Sequence, residues 1–229
     1  MDDTFGALID NVSLVFEGAG NSFVDGAGTL RLVGGAGNDL IFGGEGTEDL
    51  YGGAGDDLLV AGTGNDILCG GLGVDRLLAG AGDDLLEVGP ADGIWEGAYA
   101  INMGDPDNAG SNEIAYIVGK EQSMDIFDGG AGYDILSLGD GDQAIALDDR
   151  VTPSHAGVRV FTNIELIDAG AGDDVVDLTS DRWGYGDVEV LGGDGNDILW
   201  TSGGDDIIVG GAGDDVLYGG AGDDALFGD

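Results

Sequence analysis

A nine-residue unit, Gly-Gly-x-Gly-x-Asp-x-aliphatic-x, recurs twelve times in this chain of 229 residues. Six copies follow one another over residues 34–87 and four over residues 192–227, while single copies stand at 129–137 and 169–177. Position 4 is Gly in every copy, position 6 is Asp in eleven and Glu in one, and position 8 is Ile, Leu or Val in all twelve. A short period held in register predicts a solenoid, in which each repeat packs only against its neighbours.

Each unit divides into a turn and a short strand. The early glycines supply backbone angles that a Cβ atom would penalise, and they let carbonyl oxygens approach one point without interference from side chains. The residues around position 8 predict a strand of about three residues whose aliphatic side chain faces inward. Because two consecutive units would make one coil, we expect an all-β fold: a parallel β-roll with two facing sheets and a stack of turns along each edge.

This geometry fixes which acids lie near one another, because units two apart share an edge of the roll. The first array then has two columns of acids: Asp39, Asp57 and Asp75 on one edge, and Glu48, Asp66 and Asp84 on the other. Neighbouring strands lie ~4.8 Å apart, and like charges at that spacing repel by roughly 1 kcal/mol per pair even in water. A hard dication that accepts carboxylate and carbonyl oxygens would replace each repulsion by an attraction.

Calcium fits this ligand set better than other metals. The ligands are many, mostly uncharged oxygens on flexible turns, whereas magnesium requires a tighter octahedron with retained water. The sequence has no cluster of Cys or His, so zinc and copper have no ligand set. Each unit buries one aliphatic side chain, worth roughly 1.5–3 kcal/mol, while ordering its backbone costs about 1–2 kcal/mol per residue. We therefore expect a chain that is mostly unfolded without metal and folds as it binds several calcium ions.

The repeat resembles that of the RTX proteins, also called haemolysin-type calcium-binding repeats, in its glycine, acid and aliphatic positions. The resemblance implies a right-handed parallel β-roll. It also implies a secreted or cell-surface bacterial protein that is exported by type I secretion. On this basis we expect the chain to be a fragment of a larger protein and to act as a calcium-binding module that folds on exposure to extracellular calcium.

The predicted calcium ligands are the acids at position 6, together with glycines at positions 2 and 4 that line the same turns. The acids are Asp39, Glu48, Asp57, Asp66, Asp75, Asp84, Asp134, Asp174, Asp197, Asp206, Asp215 and Asp224. The glycines are Gly35, Gly37, Gly53, Gly55, Gly62, Gly64, Gly71, Gly73, Gly193, Gly195, Gly211 and Gly213. Pairing units two apart gives four turn pairs in the first array and two in the last, and degenerate flanking coils add a few. The expected total is roughly six to nine ions.

The period also predicts the organisation of the chain. We expect five segments: a capping segment at 1–33, a first roll at 34–87, an insertion with aromatic residues at 88–128, degenerate repeats with loops at 129–191, and a second roll at 192–229. Two stretches without the full motif still keep the register, with Asp125 at position 6 of residues 120–128 and Glu165 at position 6 of residues 160–168. These stretches favour one elongated solenoid with insertions over two unrelated domains.

Composition excludes several other functions. Acids number 46 against 6 Lys and Arg, for a formal charge of −40, which argues against nucleic acids and anionic membranes as partners. The sequence contains no apolar run long enough to span a bilayer, and its single cysteine, Cys69, permits no internal disulfide. It also lacks His-Glu-x-x-His and Gly-x-Ser-x-Gly, and its one histidine, His155, has no Ser or Cys motif to serve. We therefore do not expect an enzyme.

An alternative function rests on apolar residues outside the core positions. Position 7, which should point outward, is aliphatic in ten of the twelve units, and the 88–128 insertion carries Trp95, Tyr99 and Tyr116. One explanation is that inserted segments or the other roll cover these faces. The other is that the chain is a ligand- or partner-binding module of a bacterial adhesin, in which the 88–128 insertion binds a protein or a glycan.

Overall fold

The computed structural model describes residues 12–15, 22–24, 27–88, 96–101, 116–120, 125–146, 161–180 and 183–228. These residues form twenty-one strands and no α-helix, and hence no helix that could cross a membrane. The strands are β1 (Val12–Val15), β2 (Ser22–Val24), β3 (Ala27–Ala36), β4 (Leu40–Ala54), β5 (Leu58–Thr63), β6 (Ile67–Leu72), β7 (Arg76–Ala81), β8 (Leu85–Glu87), β9 (Glu96–Ile101), β10 (Tyr116–Lys120), β11 (Ile126–Ala131), β12 (Ile135–Ser137), β13 (Ala144–Ala146), β14 (Phe161–Thr162), β15 (Leu166–Asp168), β16 (Val175–Asp177), β17 (Glu189–Asp194), β18 (Ile198–Trp200), β19 (Ile207–Ala212), β20 (Val216–Tyr218) and β21 (Ala225–Phe227).

Two nonapeptides make one coil, as the period predicts. Leu40 pairs with Leu58 in the parallel ladder between β4 and β5, and Asp49 pairs with Ile67 between β4 and β6. Each partner lies eighteen residues further along the chain, which is two units. The predicted all-β fold class with parallel stacked strands is therefore confirmed.

The paired strands form three stacks. The first stack contains β2, the start of β4, β5, β7, β11 and β14. The second runs through β1, β3, the end of β4, β6, β8, β12, β15, β17, β19 and β21. The third contains β13, β16, β18 and β20. The second stack extends along the whole described roll, while the third replaces the first towards the C-terminus.

The sheet continues across the 88–128 insertion. Leu77 of β7 pairs with Phe127 of β11, and Leu86 of β8 pairs with Leu136 of β12, in the same parallel arrangement as within the tandem array. The insertion contributes β9 and β10, which form a separate antiparallel pair, and β9 lies against β13 and β16. Trp95 lies outside the described residues, as do residues 89–94, 102–115 and 121–124. The five predicted segment boundaries stay a prediction.

The coils contain more residues at the point where the third stack replaces the first. The acid columns described below step by 31 residues between Asp134 and Glu165, and by 23 residues between Asp174 and Asp197. Within the 31-residue step, β13 begins the third stack and β14 adds a last strand to the first. The ring of Phe161 in β14 packs against Tyr185, with the ring centroids 4.4 Å apart. The two longer steps therefore coincide with the change from the first and second stacks to the second and third.

The core is narrow. The side chains at position 8, such as Ile41, Leu50 and Leu59, are completely buried, while the residues on either side of them are half-buried. This alternation is that of a strand with one face on the core. At the C-terminal end, Leu226 and Phe227 are exposed to 44% and 54%. One buried aliphatic side chain per turn leaves much of the stability to the turns themselves.

Candidate calcium sites

Glycine allows the turns to stack directly on one another. Gly35 and Gly37, at positions 2 and 4, have φ angles of 104° and 97°, which side chains rarely adopt. The approach between coils is also close, because a Cβ atom on Gly55 would stand 2.5 Å from the carbonyl oxygen of Gly37 in the preceding coil. Position 4 is therefore glycine for two reasons, its backbone angle and the neighbouring carbonyl.

The position-6 acids of the first array form two hydrogen-bonded columns. The backbone N–H of Asp39 donates to Asp57 Oδ1 at 2.7 Å, and that of Asp57 donates to Asp75 Oδ1 at 2.6 Å. On the other edge, Glu48 N–H donates to Asp66 Oδ1 and Asp66 N–H to Asp84 Oδ1, both at 2.8 Å. The structure thus brings together the two sets of acids that the period places on the two edges.

Both columns continue across the insertion. Asp75 N–H donates to Asp125 Oδ1 at 2.7 Å, and Asp84 N–H donates to Asp134 Oδ1 at 2.9 Å, although each pair is 50 residues apart in sequence. Asp125 is absent from the predicted ligands, because the unit at 120–128 lacks the glycines. Its place at position 6 of the period was the signal that could have included it.

The C-terminal acids follow the same pattern. Asp174 N–H donates to Asp197 Oδ1 at 2.9 Å, and Asp197 N–H donates to Asp215 Oδ1 at 3.0 Å. Asp206 N–H donates to Asp224 Oδ1 at 3.0 Å on the other edge. All twelve predicted acids stand in these columns, and all are buried except Asp215 and Asp224, which are half-buried near the end of the roll.

The second carboxylate oxygen in each column is the chemically unusual atom. Oδ1 accepts the backbone N–H of the preceding coil, whereas Oδ2 is buried with no hydrogen-bond donor in eight of the acids: Asp57, Asp66, Asp84, Asp134, Asp174, Asp197, Asp206 and Asp215. Burying a carboxylate oxygen without a hydrogen-bond donor costs roughly several kcal/mol of desolvation free energy, unless a cation compensates it. Eight repetitions of this arrangement fit a row of cation sites.

Backbone carbonyls lie beside these oxygens. A Cβ atom on Gly34 would stand within 2.6 Å of both Asp39 Oδ2 and the carbonyl oxygen of Gly52 in the next coil. The same combination recurs at Gly52, which faces Asp57 Oδ2 and the carbonyl of Gly70. Because calcium binds oxygen at about 2.3–2.6 Å, one ion could contact both atoms. Position 1 therefore also lines the candidate site, whereas the repeat pattern predicts this role only for positions 2 and 4.

The glycines at positions 2 and 4 direct their carbonyls along the stack. The carbonyl oxygen of Gly35 lies against Gly53, and that of Gly37 against Gly55. Within the described ranges, no group of three or more His, Cys, Asp or Glu side chains is placed to hold a metal ion. Backbone carbonyls or water would therefore complete each coordination sphere, and the ligand role of the individual glycines stays a prediction.

Burial changes the protonation of the columns. Desolvation is the main cause that raises the pKa of Asp57 and of Asp174 to about 7, and that of Asp84 to about 6. The negative charges of neighbouring acids raise these pKa values further, while the hydrogen bonds from backbone N–H groups oppose the shift. Cation binding requires the deprotonated carboxylates, so it should release protons near neutral pH.

A second set of side chains, at position 5, also joins neighbouring coils. This role of position 5 was not predicted from the sequence. Asp56 N–H donates to Asn38 Oδ1 and Asp83 N–H donates to Asn65 Oδ1, each at 3.1 Å. Here the later coil donates to the earlier one, opposite to the direction at position 6. The signal was present, because position 5 is Asn or Asp in nine of the twelve copies. These exposed bonds join stacked turns from the outside.

Comparison with known families agrees with this geometry. The family model for the RTX calcium-binding nonapeptide repeat matches residues 31–59, 51–86, 123–142, 184–208 and 200–229, which together cover more than half of the chain. No curated protein matches the chain. The matched ranges contain eleven of the twelve predicted acids and the turns that carry them, while Asp174 lies outside them. The chain belongs to the family of RTX calcium-binding nonapeptide repeats.

Proposed function

We propose that this chain is a calcium-triggered folding module of a bacterial protein that leaves the cell by type I secretion. In this proposal the chain stays extended in the cytosol, where calcium is too scarce to fill weak sites. Extracellular calcium modules bind at about 10⁻⁴–10⁻³ M, so the turns would fill, and the roll would form, outside the cell. The family is a structural calcium-binding repeat, and we assign no catalytic activity to the chain.

The observation that carries this proposal is the set of eight buried Oδ2 atoms without donors. Their carboxylates lie in columns. Adjacent acids are joined by one hydrogen bond from a backbone N–H to a carboxylate Oδ1, with N···O distances of 2.6–3.0 Å. In the calcium-free roll, each such carboxylate must either keep a buried charge beside another or hold a proton. Both states cost free energy, whereas the extended chain keeps every carboxylate in water. The balance therefore favours the extended chain until calcium is present.

Small-angle scattering at two calcium concentrations tests the proposal. An unfolded chain of this length has an expected radius of gyration of about 52 Å, and the folded roll should give less than half of that. We expect the large value at about 1 µM free calcium and the small value at about 2 mM, with magnesium at the higher concentration as the control. A compact chain at both calcium concentrations would contradict calcium-triggered folding.

A second candidate function is binding of a protein or glycan partner by the 88–128 insertion, as in an adhesin. The observation in its favour is that β9 and β10 form their own antiparallel sheet rather than another coil of the roll. The packing of β9 against β13 and β16 favours the simpler role of covering the roll. Replacing residues 89–119 by a short linker separates the two roles, because the deletion leaves the turn that contains Asp125. Loss of partner binding with intact calcium-induced folding would support the second function.

A further inference from the structure

The segment 161–165 departs from the glycine motif, yet it packs on a repeat turn. Phe161 and Thr162 pair with Phe127 and Asp128, and the chain then turns through Asn163. Asn163 has a φ angle of 53°, and among the described residues it is the one non-glycine residue with positive φ. A residue held in this region points to a local requirement for that backbone shape.

The backbone of Asn163 supplies the oxygen that a repeat glycine supplies elsewhere. A Cβ atom on Gly129 would stand within 2.6 Å of both Asp134 Oδ2 and the carbonyl oxygen of Asn163. In the tandem array, the corresponding atoms around Gly34 are Asp39 Oδ2 and the carbonyl oxygen of Gly52. The carbonyl of Asn163 therefore stands where the carbonyl of a position-1 glycine stands in a regular pair of turns.

The acids around this point also match a regular pair. Asp134 is fully buried, and its Oδ2 has no hydrogen-bond donor. Its backbone N–H donates to Glu165 Oε2 at 2.9 Å, so Glu165 takes the place of the aspartate in the following coil. The side chain of Asn163 is turned towards the preceding coil, where its Nδ2 donates to Asp128 Oδ1 at 2.7 Å.

We propose that Asp134, Glu165 and the backbone carbonyl of Asn163 form a further calcium site that no pair of nonapeptides provides. The proposal rests on the proposed calcium-dependent folding, which it extends to a segment without the glycine motif. Its ligands come from segments 31 residues apart, on the two sides of the long coil. Calcium binding there would join the ends of that coil at the point where the first stack ends and the third begins.

A crystal structure of the chain grown with calcium, together with native mass spectrometry of variants, tests this site. We expect an ion between Asp134 and Asn163, identified by its anomalous signal. Asn163→Val should lower the count by one ion per chain, because a β-branched residue disfavours positive φ and moves the carbonyl. Asn163→Gly should keep the ion, since glycine retains both the backbone angle and the carbonyl. The control is Thr162→Val, the adjacent strand residue, which should keep the wild-type count.

The outcomes separate this proposal from the function on which it rests. Ions in the turns of residues 34–84 with none between Asp134 and Asn163 would overturn the new site alone. Loss of the ion from Asn163→Gly would also overturn it, because the side chain and not the carbonyl would then be required. Absence of ions from every turn at millimolar calcium would instead refute the proposed function.

Discussion

At the scale of single residues, the two oxygen atoms of each position-6 carboxylate have different partners. In Asp66, Oδ1 accepts the backbone N–H of Glu48, while Oδ2 is buried without a donor. One side chain therefore both fixes the spacing of two coils and supplies a candidate ligand. Substitutions at these positions should change calcium binding and folding together.

Glu48→Asp should raise calcium affinity on its edge of the first roll. A Cβ atom on Gly43 would stand 2.9 Å from Glu48 Oε2, whereas the Asp39 oxygen at the equivalent turn lies closer to Gly34. The extra methylene thus displaces the glutamate oxygen slightly from the common position. We expect a gain of roughly two- to fivefold, which is below about 1 kcal/mol. Calorimetric calcium titration measures it, and an equal or lower affinity would show that the glutamate fits its turn.

Gly55→Ala should destabilise the calcium-loaded roll by about 2–4 kcal/mol, because it combines backbone strain with overpacking. Gly55 has a φ angle of 130°, and its new Cβ atom would meet the carbonyl of Gly37. Gly184→Ala is the matched control, because a Cβ atom at Gly184 meets nothing within 4 Å and its φ is not positive. Thermal unfolding in saturating calcium compares the two. Equal melting temperatures would contradict the close stacking of the turns.

At the scale of the strand and turn, the unit of construction is the coil of two nonapeptides. Its register followed from the sequence alone, because the aliphatic residue at position 8 and the acid at position 6 recur without a gap in each array. The position-5 bonds were not predicted, although Asn or Asp stands at that position in nine of the twelve copies. In the proposed site at Asn163, Asp134 and Glu165 both stand at position 6 of the period, but the carbonyl was beyond prediction, since a backbone carbonyl held by a positive φ leaves no residue pattern. The third stack likewise depends on how the long coils pack, which the period does not encode.

Asp66→Ala should remove ions mainly from its own edge. The substitution leaves the N–H of Glu48 without its acceptor and removes the acid between Glu48 and Asp84, whereas the column of Asp57 is untouched. We expect calcium affinity on the Glu48–Asp84 edge to fall at least about tenfold, or 1.4 kcal/mol. A crystal structure of the variant with calcium locates the loss. Equal loss from both edges would show that the two turn stacks do not bind independently.

At the scale of the whole molecule, charge and core size act against the calcium-free roll. A formal charge of −40 repels itself in any compact state, and the completely buried side chains amount to about one aliphatic residue per unit. Bound calcium would neutralise part of this charge at the turns, where the acids are concentrated. Under the proposed function, calcium binding at the turns would therefore decide whether the roll forms, and the hydrophobic core would contribute less.

Acid should partly replace calcium in stabilising the roll. The folded pKa of Asp57 and Asp174 is about 7 and that of Asp84 about 6, against an ordinary value of 3.8. The folded chain therefore holds more protons than the unfolded chain, so this stabilisation is complete below about pH 4 and is lost as pH rises through 6 to 7. In EDTA, we expect more β-structure at pH 5 than at pH 8 by circular dichroism.

Saturating calcium provides the control for this pH dependence. There the deprotonated carboxylates are the binding form, so lowering the pH should weaken calcium binding instead of stabilising the roll. The same pH trend with and without calcium would mean that the buried acids are not its ligands.

Calcium titration followed by far-UV circular dichroism tests the central claim most directly. Starting from EDTA at pH 8, we predict the spectrum of a largely disordered chain. The spectrum should change cooperatively to that of β-structure as free calcium reaches about 10⁻⁴–10⁻³ M, the range in which extracellular modules bind calcium. Reversal by added chelator should restore the disordered spectrum. A β-rich spectrum that stays unchanged from EDTA to saturating calcium would contradict the account.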